Sequence, residues 1–167
     1  MQLAGFQLGE VIHAVGETVV ARATAAGGFH VVLKFLDSEH PAPELLARWQ
    51  HEYEVLRGID SPHIIKARGL ESAGRSAVLV LEDFAACNLA QLIERHPLDL
   101  ADRLVLAIGL ARAVSDVHRH QLIHGDLAPK NVLVDPATLA LRLCDFGLSS
   151  RLDVQPRRAD SGQMAGT

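Results

Sequence analysis

The chain has 167 residues, of which 49% are hydrophobic and 22% charged, and its formal net charge at pH 7 is −4. This length predicts one continuous unit with a substantial core, and the slightly acidic charge gives no reason to expect a nucleic-acid partner. No apolar run approaches the length of a membrane span, residues 1–10 lack a signal peptide's features, and Cys87 and Cys144 have no metal or redox spacing. We therefore expect a reduced, cytoplasmic protein without a membrane partner.

The first third of the chain predicts strands followed by one helix. Apolar runs within residues 11–23 flank a turn at Gly16-Glu17, and Gly27-Gly28 forms a second turn. Residues 31–36 predict a mostly buried strand, in which Lys34 shares a face with two aliphatic neighbours, Val32 and Leu36. One interpretation is an edge strand whose lysine extends to water.

A helix is predicted from Pro43 or Glu44 to Gly58. Its apolar face carries Glu52 between aliphatic and aromatic residues, with spacings of four, three and four in the series Leu45, Trp49, Glu52, Leu56. Because a buried carboxylate without a partner is costly, Lys34 is the expected partner of Glu52. The alternative is that Glu52 lies at the solvated edge of this stripe.

Two further elements are predicted in the middle of the chain. Residues 77–81 form an aliphatic strand that continues into Glu82-Asp83-Phe84. Residues 99–120 form a long scaffolding helix, in which Asp99 is the N-cap and Asp102 follows three residues later. Its predicted buried stripe comprises Leu100, Leu104, Ile108, Ala111 and Val114.

The most informative stretch is His124-Gly125-Asp126-Leu127-Ala128-Pro129-Lys130-Asn131, followed after a predicted hairpin turn at Asp135-Pro136 by Asp145-Phe146-Gly147. One carboxylate can orient a hydroxyl nucleophile, while the amide and the second carboxylate can hold magnesium against a nucleotide triphosphate. These are the groups that phosphoryl transfer requires.

These two linked motifs resemble the catalytic core of the protein kinase family. The resemblance implies an α+β, protein kinase-like two-lobe fold, with an antiparallel N-lobe sheet, one helix and an incomplete helical C-lobe. Residues 1–84 would form the N-lobe and hinge, and residues 85–167 a partial C-lobe that ends inside the activation segment. We expect such a chain to be truncated and to need further C-terminal kinase segments.

The resemblance also implies a role for each site residue, with ATP and Mg²⁺ as cofactors. Asp126 would be the general base or orient the substrate hydroxyl, and Lys34, positioned by Glu52, would hold the α- and β-phosphates. Asn131 and Asp145 would coordinate magnesium. Adenine would bind the backbone carbonyl of Glu82 and the backbone amide of Phe84, next to Leu81 as gatekeeper. Leu133 would form the floor of the adenine pocket, opposite Val20 and Val32, and Ile12 would also contact the nucleotide. Phe146 and His124 would be packing residues.

Four departures from the family pattern stand out. The glycine-rich loop corresponds to residues 13–20, where none of the three glycines is in register and Glu17 would repel phosphate. Gly125 replaces an arginine, and Val32 replaces an alanine and narrows the adenine slot. Ala128 replaces a lysine, and Lys130 is a candidate substitute whose direction the sequence leaves open.

Three functions are compatible with these motifs. The first is transfer of a phosphoryl group to a serine or threonine of a protein. The second is an inactive kinase-like binding or regulatory module, and the third is a small-molecule phosphotransferase of the aminoglycoside type, which His124-Gly125-Asp126 also resembles. Residues 52–56, 131–136 and 145–152 are similar to the N-terminal kinase-like domains of bacterial multidomain sensor proteins. A protein substrate or downstream signalling domains are the partners that this resemblance implies.

Overall fold

The computed structural model describes residues 5–38, 41–73, 76–84 and 87–152. Its first part is a five-stranded antiparallel sheet in the order β1-β2-β3-β5-β4. The strands are β1 (Phe6–Val15), β2 (Thr18–Ala25), β3 (His30–Leu36), β4 (Ala67–Ala73) and β5 (Ser76–Glu82), and helix α1 (Pro43–Arg57) contacts β4 and β5. The predicted antiparallel sheet with one helix is confirmed.

Glycines make the two predicted turns of this sheet. A two-residue turn at Gly16 and Glu17 joins β1 to β2, and Gly16 has a φ of +56°. Gly27 and Gly28 both have positive φ before β3, a conformation that glycine adopts without steric cost. Strand β3 lies between β2 and β5, so the interpretation of Lys34 as an edge-strand lysine is wrong.

Helix α1 presents the predicted face to the sheet. Pro43 occupies its first turn and Gly58 is its C-cap, and Trp49, Glu52 and Leu56 are buried. The alternative of a solvated Glu52 is therefore wrong, since its exposure is 1%.

The second part of the chain contains short strands and two helices. They are β6 (Cys87–Asn88), α2 (Leu89–Arg95), α3 (Leu100–Arg119), β7 (Leu122–Ile123), β8 (Val132–Val134), β9 (Leu141–Leu143) and β10 (Ser150–Arg151). Strands β6, β8 and β9 form one small sheet, and β7 pairs with β10. Together with the N-terminal sheet, these elements confirm the predicted two-lobe α+β architecture. Residues 153–167, which the sequence analysis assigned to the activation segment, lie outside the described residues.

The buried stripe predicted for α3 is largely wrong. Leu100, Leu104 and Ile108 are 74%, 54% and 52% exposed, and only Val114 of the predicted set packs partly against the core. The face that contacts the core carries Leu106, Leu110, Ala113 and Val117. The helix has apolar residues on two faces, and periodicity cannot tell which face meets strands that are distant in sequence.

A buried polar cluster fastens α3 to the loop that follows α1. Asp116 accepts a hydrogen bond from the Ser61 hydroxyl, its Oδ2 lies 2.9 Å from His63 Nδ1, and its Oδ1 pairs with Arg119. Burial by itself would raise the pKa of Asp116, but the hydrogen bonds from these three side chains outweigh it and lower the pKa to about 2. The Asp116 carboxylate therefore stabilises the junction between the two parts of the chain.

We predict that acid weakens the fold through Asp116. Because the folded-state pKa is depressed, the stabilisation is complete above the unfolded value near 3.8 and is lost as pH falls from about 4 to 2. Asp116→Asn should lower the free energy of unfolding at pH 7 by about 2 kcal/mol. It should also reduce the loss of stability as pH falls from about 4 to 2. Urea unfolding at pH 2.5, 4 and 7 measures both effects. The control is Asp60→Asn at a carboxylate that is 95% exposed. If Asp116→Asn loses as much stability between pH 4 and pH 2.5 as the unmodified chain, Asp116 is not the cause of that loss.

Within residues 5–38, 41–73, 76–84 and 87–152, no helix has both the length and the apolarity needed to cross a membrane.

Candidate active site

Lys34 contacts two acidic residues that are distant from it in the sequence. Its Nζ lies 2.8 Å from Glu52 Oε2 and 3.0 Å from Asp145 Oδ1. Strand β3, helix α1 and the segment after β9 therefore meet at one ammonium group. The structure forms the ion pair that the sequence predicts between Lys34 and Glu52, and it adds Asp145 as a second anion.

The charges of these groups depend on one another. Burial works against the charge on Lys34, but the two carboxylates outweigh it and raise its pKa. Burial raises the pKa of Glu52, against the opposing effect of Lys34. For Asp145, desolvation is outweighed by the nearby positive charges, chiefly Lys34, which lower its pKa. Asp145 is thus held as an anion, in the form that a cation would bind.

The segment from His124 to Asn131 folds around the Asn131 side chain. Its Nδ2 donates to the backbone oxygen of Asp126 at 2.9 Å and to Asp126 Oδ2 at 3.0 Å. The Asn131 carbonyl accepts the backbone amide of Cys144, which places this turn beside Asp145. Asp126, Asn131 and Asp145 are therefore neighbours, although 19 residues separate the first from the last.

Lys130 points towards Asp126. Its Nζ lies 3.3 Å from Asp126 Oδ2, and its positive charge contributes to lowering the pKa of Asp145. The direction that the sequence left open is thus towards Asp126.

His124 links the segment that holds Asp126 to the segment before Asp145. Its Nδ1 accepts the backbone amide of Asp126, so Nε2 carries the proton and donates to the Cys144 carbonyl at 3.0 Å. Its ring lies 4.5 Å from that of Phe146, which is fully buried. Cys144 itself is inert, because burial raises the pKa of its thiol to about 12.

The side chains proposed to hold magnesium suit that ion. The Asn131 amide nitrogen is engaged by Asp126, so its oxygen is the atom suited to a cation, and Asp145 supplies a carboxylate. The described residues contain no preformed cluster of three or more His, Cys, Asp or Glu side chains. Magnesium commonly binds through one or two protein ligands together with phosphate oxygens and water, which fits such a sparse donor set.

The apolar residues proposed to contact adenine come from the five-stranded sheet and from the small sheet of β6, β8 and β9. Val20 is paired with Lys34 across β2 and β3, Val32 is paired with Leu81, and both valines are partly buried. Leu133 on β8 is also partly buried and packs against the same core as Val32. Ile12 differs, because it lies at an irregularity of β1 and is 43% exposed.

One known protein family matches nearly the whole chain. The model of the family described as protein tyrosine and serine/threonine kinase matches residues 2–165. The chain belongs to this kinase family.

Individual relatives of the chain are also named as kinases. A receptor-like serine/threonine-protein kinase of Arabidopsis thaliana is 31% identical over 163 residues, which are 89% of this chain and 25% of that protein. A RasGEF domain-containing serine/threonine-protein kinase of Dictyostelium discoideum is 29% identical over 141 residues, covering 84% of this chain and 14% of the relative. Serine/threonine-protein kinase 36 of Pongo abelii is 29% identical over 120 residues, with coverages of 71% and 9%. The chain thus spans a quarter or less of each of these relatives. None of these three relatives is bacterial, so the bacterial origin of the chain stays a prediction.

Gly125 has a structural reason in this chain. Its φ is +82°, and a Cβ added there would lie 2.3 Å from the backbone oxygen of Leu148. No side chain fits unless the segment after Gly147 moves. An arginine at position 125 is therefore incompatible with this packing, in which β10 pairs with β7.

The turn at residues 16–17, which lies within the stretch matched to the glycine-rich loop, is short. Strands β1 and β2 stay paired up to Val15 and Thr18, so only Gly16 and Glu17 lie at the tip. The Glu17 carbonyl accepts the backbone amide of Asp37, which ties the tip to the end of β3. A tip of two residues offers few backbone amides to a phosphate.

Sequence analysis missed two contacts around the site. His51 Nε2 lies 2.8 Å from the backbone oxygen of Ser149, so α1 also holds the segment after Gly147. Arg142, in the middle of β9, reaches Glu82 and Phe84. The alternation Leu141-Arg142-Leu143 places a charge on one face of a short strand, and this was the available signal for Arg142.

Proposed function

We propose that the chain binds ATP with magnesium between its two parts and transfers the γ-phosphoryl group to a serine or threonine hydroxyl of a protein. The observation that carries this proposal is the chain of contacts from Glu52 through Lys34 to Asp145. It sets the Lys34 ammonium group beside the Asp145 carboxylate, as binding of a metal–triphosphate complex requires. Membership of the kinase family and the names of the three relatives support the same chemistry.

The chain's own residues have distinct tasks in this proposal. Lys34, fixed by Glu52, attracts the α- and β-phosphates. Asn131 and Asp145 hold Mg²⁺, which neutralises charge on the phosphate oxygens when bound. Asp126 orients the acceptor hydroxyl and receives its proton. Lys130, beside Asp126, adds positive charge where negative charge develops in the transition state.

A second candidate function is a kinase-like module without catalytic activity. The two-residue tip at Gly16 and Glu17 favours it, because this tip contains one glycine and one carboxylate and offers few backbone amides to a phosphate. A protein substrate and attached signalling domains are the partners that the first function implies, whereas the second implies a regulatory partner alone.

Thermal unfolding with and without ATP and Mg²⁺ tests the proposal, using Asp145→Ala as the deficient variant. Ligand at a hundredfold excess over its dissociation constant adds about 2.7 kcal/mol to stability, which raises Tm by roughly 5–10 °C in a chain of this size. We expect this rise in the unmodified chain and in Asp135→Ala, a change in the β8–β9 turn, but not in Asp145→Ala.

Absence of a magnesium-dependent shift in the unmodified chain would overturn the proposal and favour the inactive module. Where binding is found, radiolabelled transfer to a mixture of serine and threonine peptides is compared with transfer to small alcohols. Labelling of the alcohols alone would assign the chain to small-molecule phosphotransfer.

A further inference from the structure

Arg142 lies beneath the segment proposed to bind adenine. On the short strand β9 it is paired directly with Leu133 of β8. Directly opposed residues of an antiparallel pair project from the same face of the sheet. Arg142 is therefore on the same side as the leucine proposed as the floor of the adenine pocket.

The guanidinium of Arg142 makes two contacts with this segment. It forms an ion pair with the Glu82 carboxylate, in which the side chains are 23% and 13% exposed. Its Cζ also lies 4.4 Å from the centre of the Phe84 ring. A planar guanidinium can make both contacts at once, because its N–H groups lie in the plane while its face covers the aromatic ring.

Glu82 is fixed from the other side as well. Its carboxylate Oε1 accepts the backbone amide of Lys66 at 2.8 Å, and its own backbone amide donates to the Lys66 carbonyl at 3.0 Å. The end of β5 is thus held between β4 and Arg142. Phe84, two residues further on, contacts the same guanidinium.

We propose that Arg142 is a positioning residue for recognition of the nucleotide base. By holding Glu82 and Phe84 it fixes the carbonyl and the amide that pair with the adenine edge, and it touches neither the phosphates nor the metal. This inference rests on the proposed function, because it assumes that the base binds this segment. It assigns base affinity to a residue of the second part of the chain.

The test compares two ligands that share the polyphosphate and differ in the base. Dissociation constants of ATP and of inorganic tripolyphosphate, each with Mg²⁺, are measured by titration calorimetry for the unmodified chain and for Arg142→Gln. We expect ATP to bind about tenfold more weakly to Arg142→Gln, a change that corresponds to about 1.4 kcal/mol, with tripolyphosphate affinity kept within about twofold. Arg142→Lys keeps a charge for Glu82 but lacks the planar face, so its ATP affinity should be intermediate.

Arg57 provides the matched control. It also pairs with a glutamate, Glu54, and lies 6.0 Å from an aromatic ring, that of Tyr53, but on the exposed surface of α1. Arg57→Gln should leave both dissociation constants unchanged. Equal weakening of both ligands in Arg142→Gln, or no weakening of ATP, would overturn the inference.

A second measurement separates this inference from the proposed function. Amide hydrogen exchange of Glu82, whose backbone amide donates to the Lys66 carbonyl, should accelerate without nucleotide by about tenfold or more in Arg142→Gln and stay unchanged in Arg57→Gln. If the unmodified chain binds neither ligand, the proposed function fails, and base recognition fails with it. If that chain binds ATP and exchange does not accelerate in Arg142→Gln, the inference alone fails.

Discussion

Asp126→Asn should lower the rate of phosphoryl transfer by about 10²–10⁴-fold, the usual contribution of a group that handles the nucleophile's proton. An amide preserves the shape of the side chain and can still accept the hydrogen bond from Asn131 Nδ2, but it cannot take a proton from the acceptor hydroxyl. Nucleotide binding should persist, because Asp126 is not among the residues proposed to hold ATP or magnesium. Single-turnover transfer and the ATP-dependent Tm shift, measured on the same protein, separate the two effects.

Asp60→Asn is the control for this experiment. Asp60 is also paired with a lysine, Lys66, at 3.1 Å, but its side chain is 95% exposed and lies outside the site. Its transfer rate should match that of the unmodified chain. A fall of less than tenfold in Asp126→Asn, with nucleotide binding intact, would exclude Asp126 as the base.

Lys34→Met should lower the free energy of unfolding at pH 8 by about 3–5 kcal/mol, the usual cost of removing one partner from a buried ion pair. The substitution leaves Glu52, which is 1% exposed, without its counter-ion. Burial already raises the pKa of Glu52, and loss of Lys34 removes the largest opposing effect. The folded variant then binds a proton that the unfolded chain releases, so its stability must fall as pH rises above about 4.5. Urea unfolding at pH 5 and pH 8 should show the larger loss at pH 8.

The double variant Lys34→Met with Glu52→Gln isolates the buried charge. Removal of the carboxylate should restore part of the stability at pH 8 and abolish the added pH dependence. Lys66→Met makes the same substitution at an exposed pair and should change stability by no more than about 0.5 kcal/mol. Equal stability losses in Lys34→Met and Lys66→Met would show that the Lys34 pair is not structurally important.

Local pattern was sufficient for the elements that carry the site. The 3.6-residue period placed Glu52 among the buried residues of α1, and the two-residue period of β3 placed Lys34 on a defined face. Their pairing could be predicted because a buried acid needs a partner and Lys34 lies between aliphatic residues on one face of its strand. The bounds of α1 and α3 also followed from local signals, namely proline at the start of α1, Gly58 after its end and the Asp99 cap of α3.

Contacts between distant segments could not be predicted in this way. The clamp of Arg142 on Glu82 and the contacts of Asp116 with Ser61 and His63 join residues more than 50 positions apart in the sequence. The buried face of α3 contacts β9, a strand that comes later in the chain. The direction of Lys130 belongs with them, because a one-turn segment between two strands has no period from which a side chain's direction can be inferred.

The sequence by itself determined the family of this protein, the bounds of α1 and α3 and the pairing of Lys34 with Glu52, because these depend on short motifs and local periodicity. Only the tertiary structure decided which face of α3 is buried, that Gly125 leaves no space for a side chain, and that Arg142 supports Glu82 and Phe84. Those features depend on which surfaces approach one another when the chain packs, and packing is set by shape and charge across the whole core.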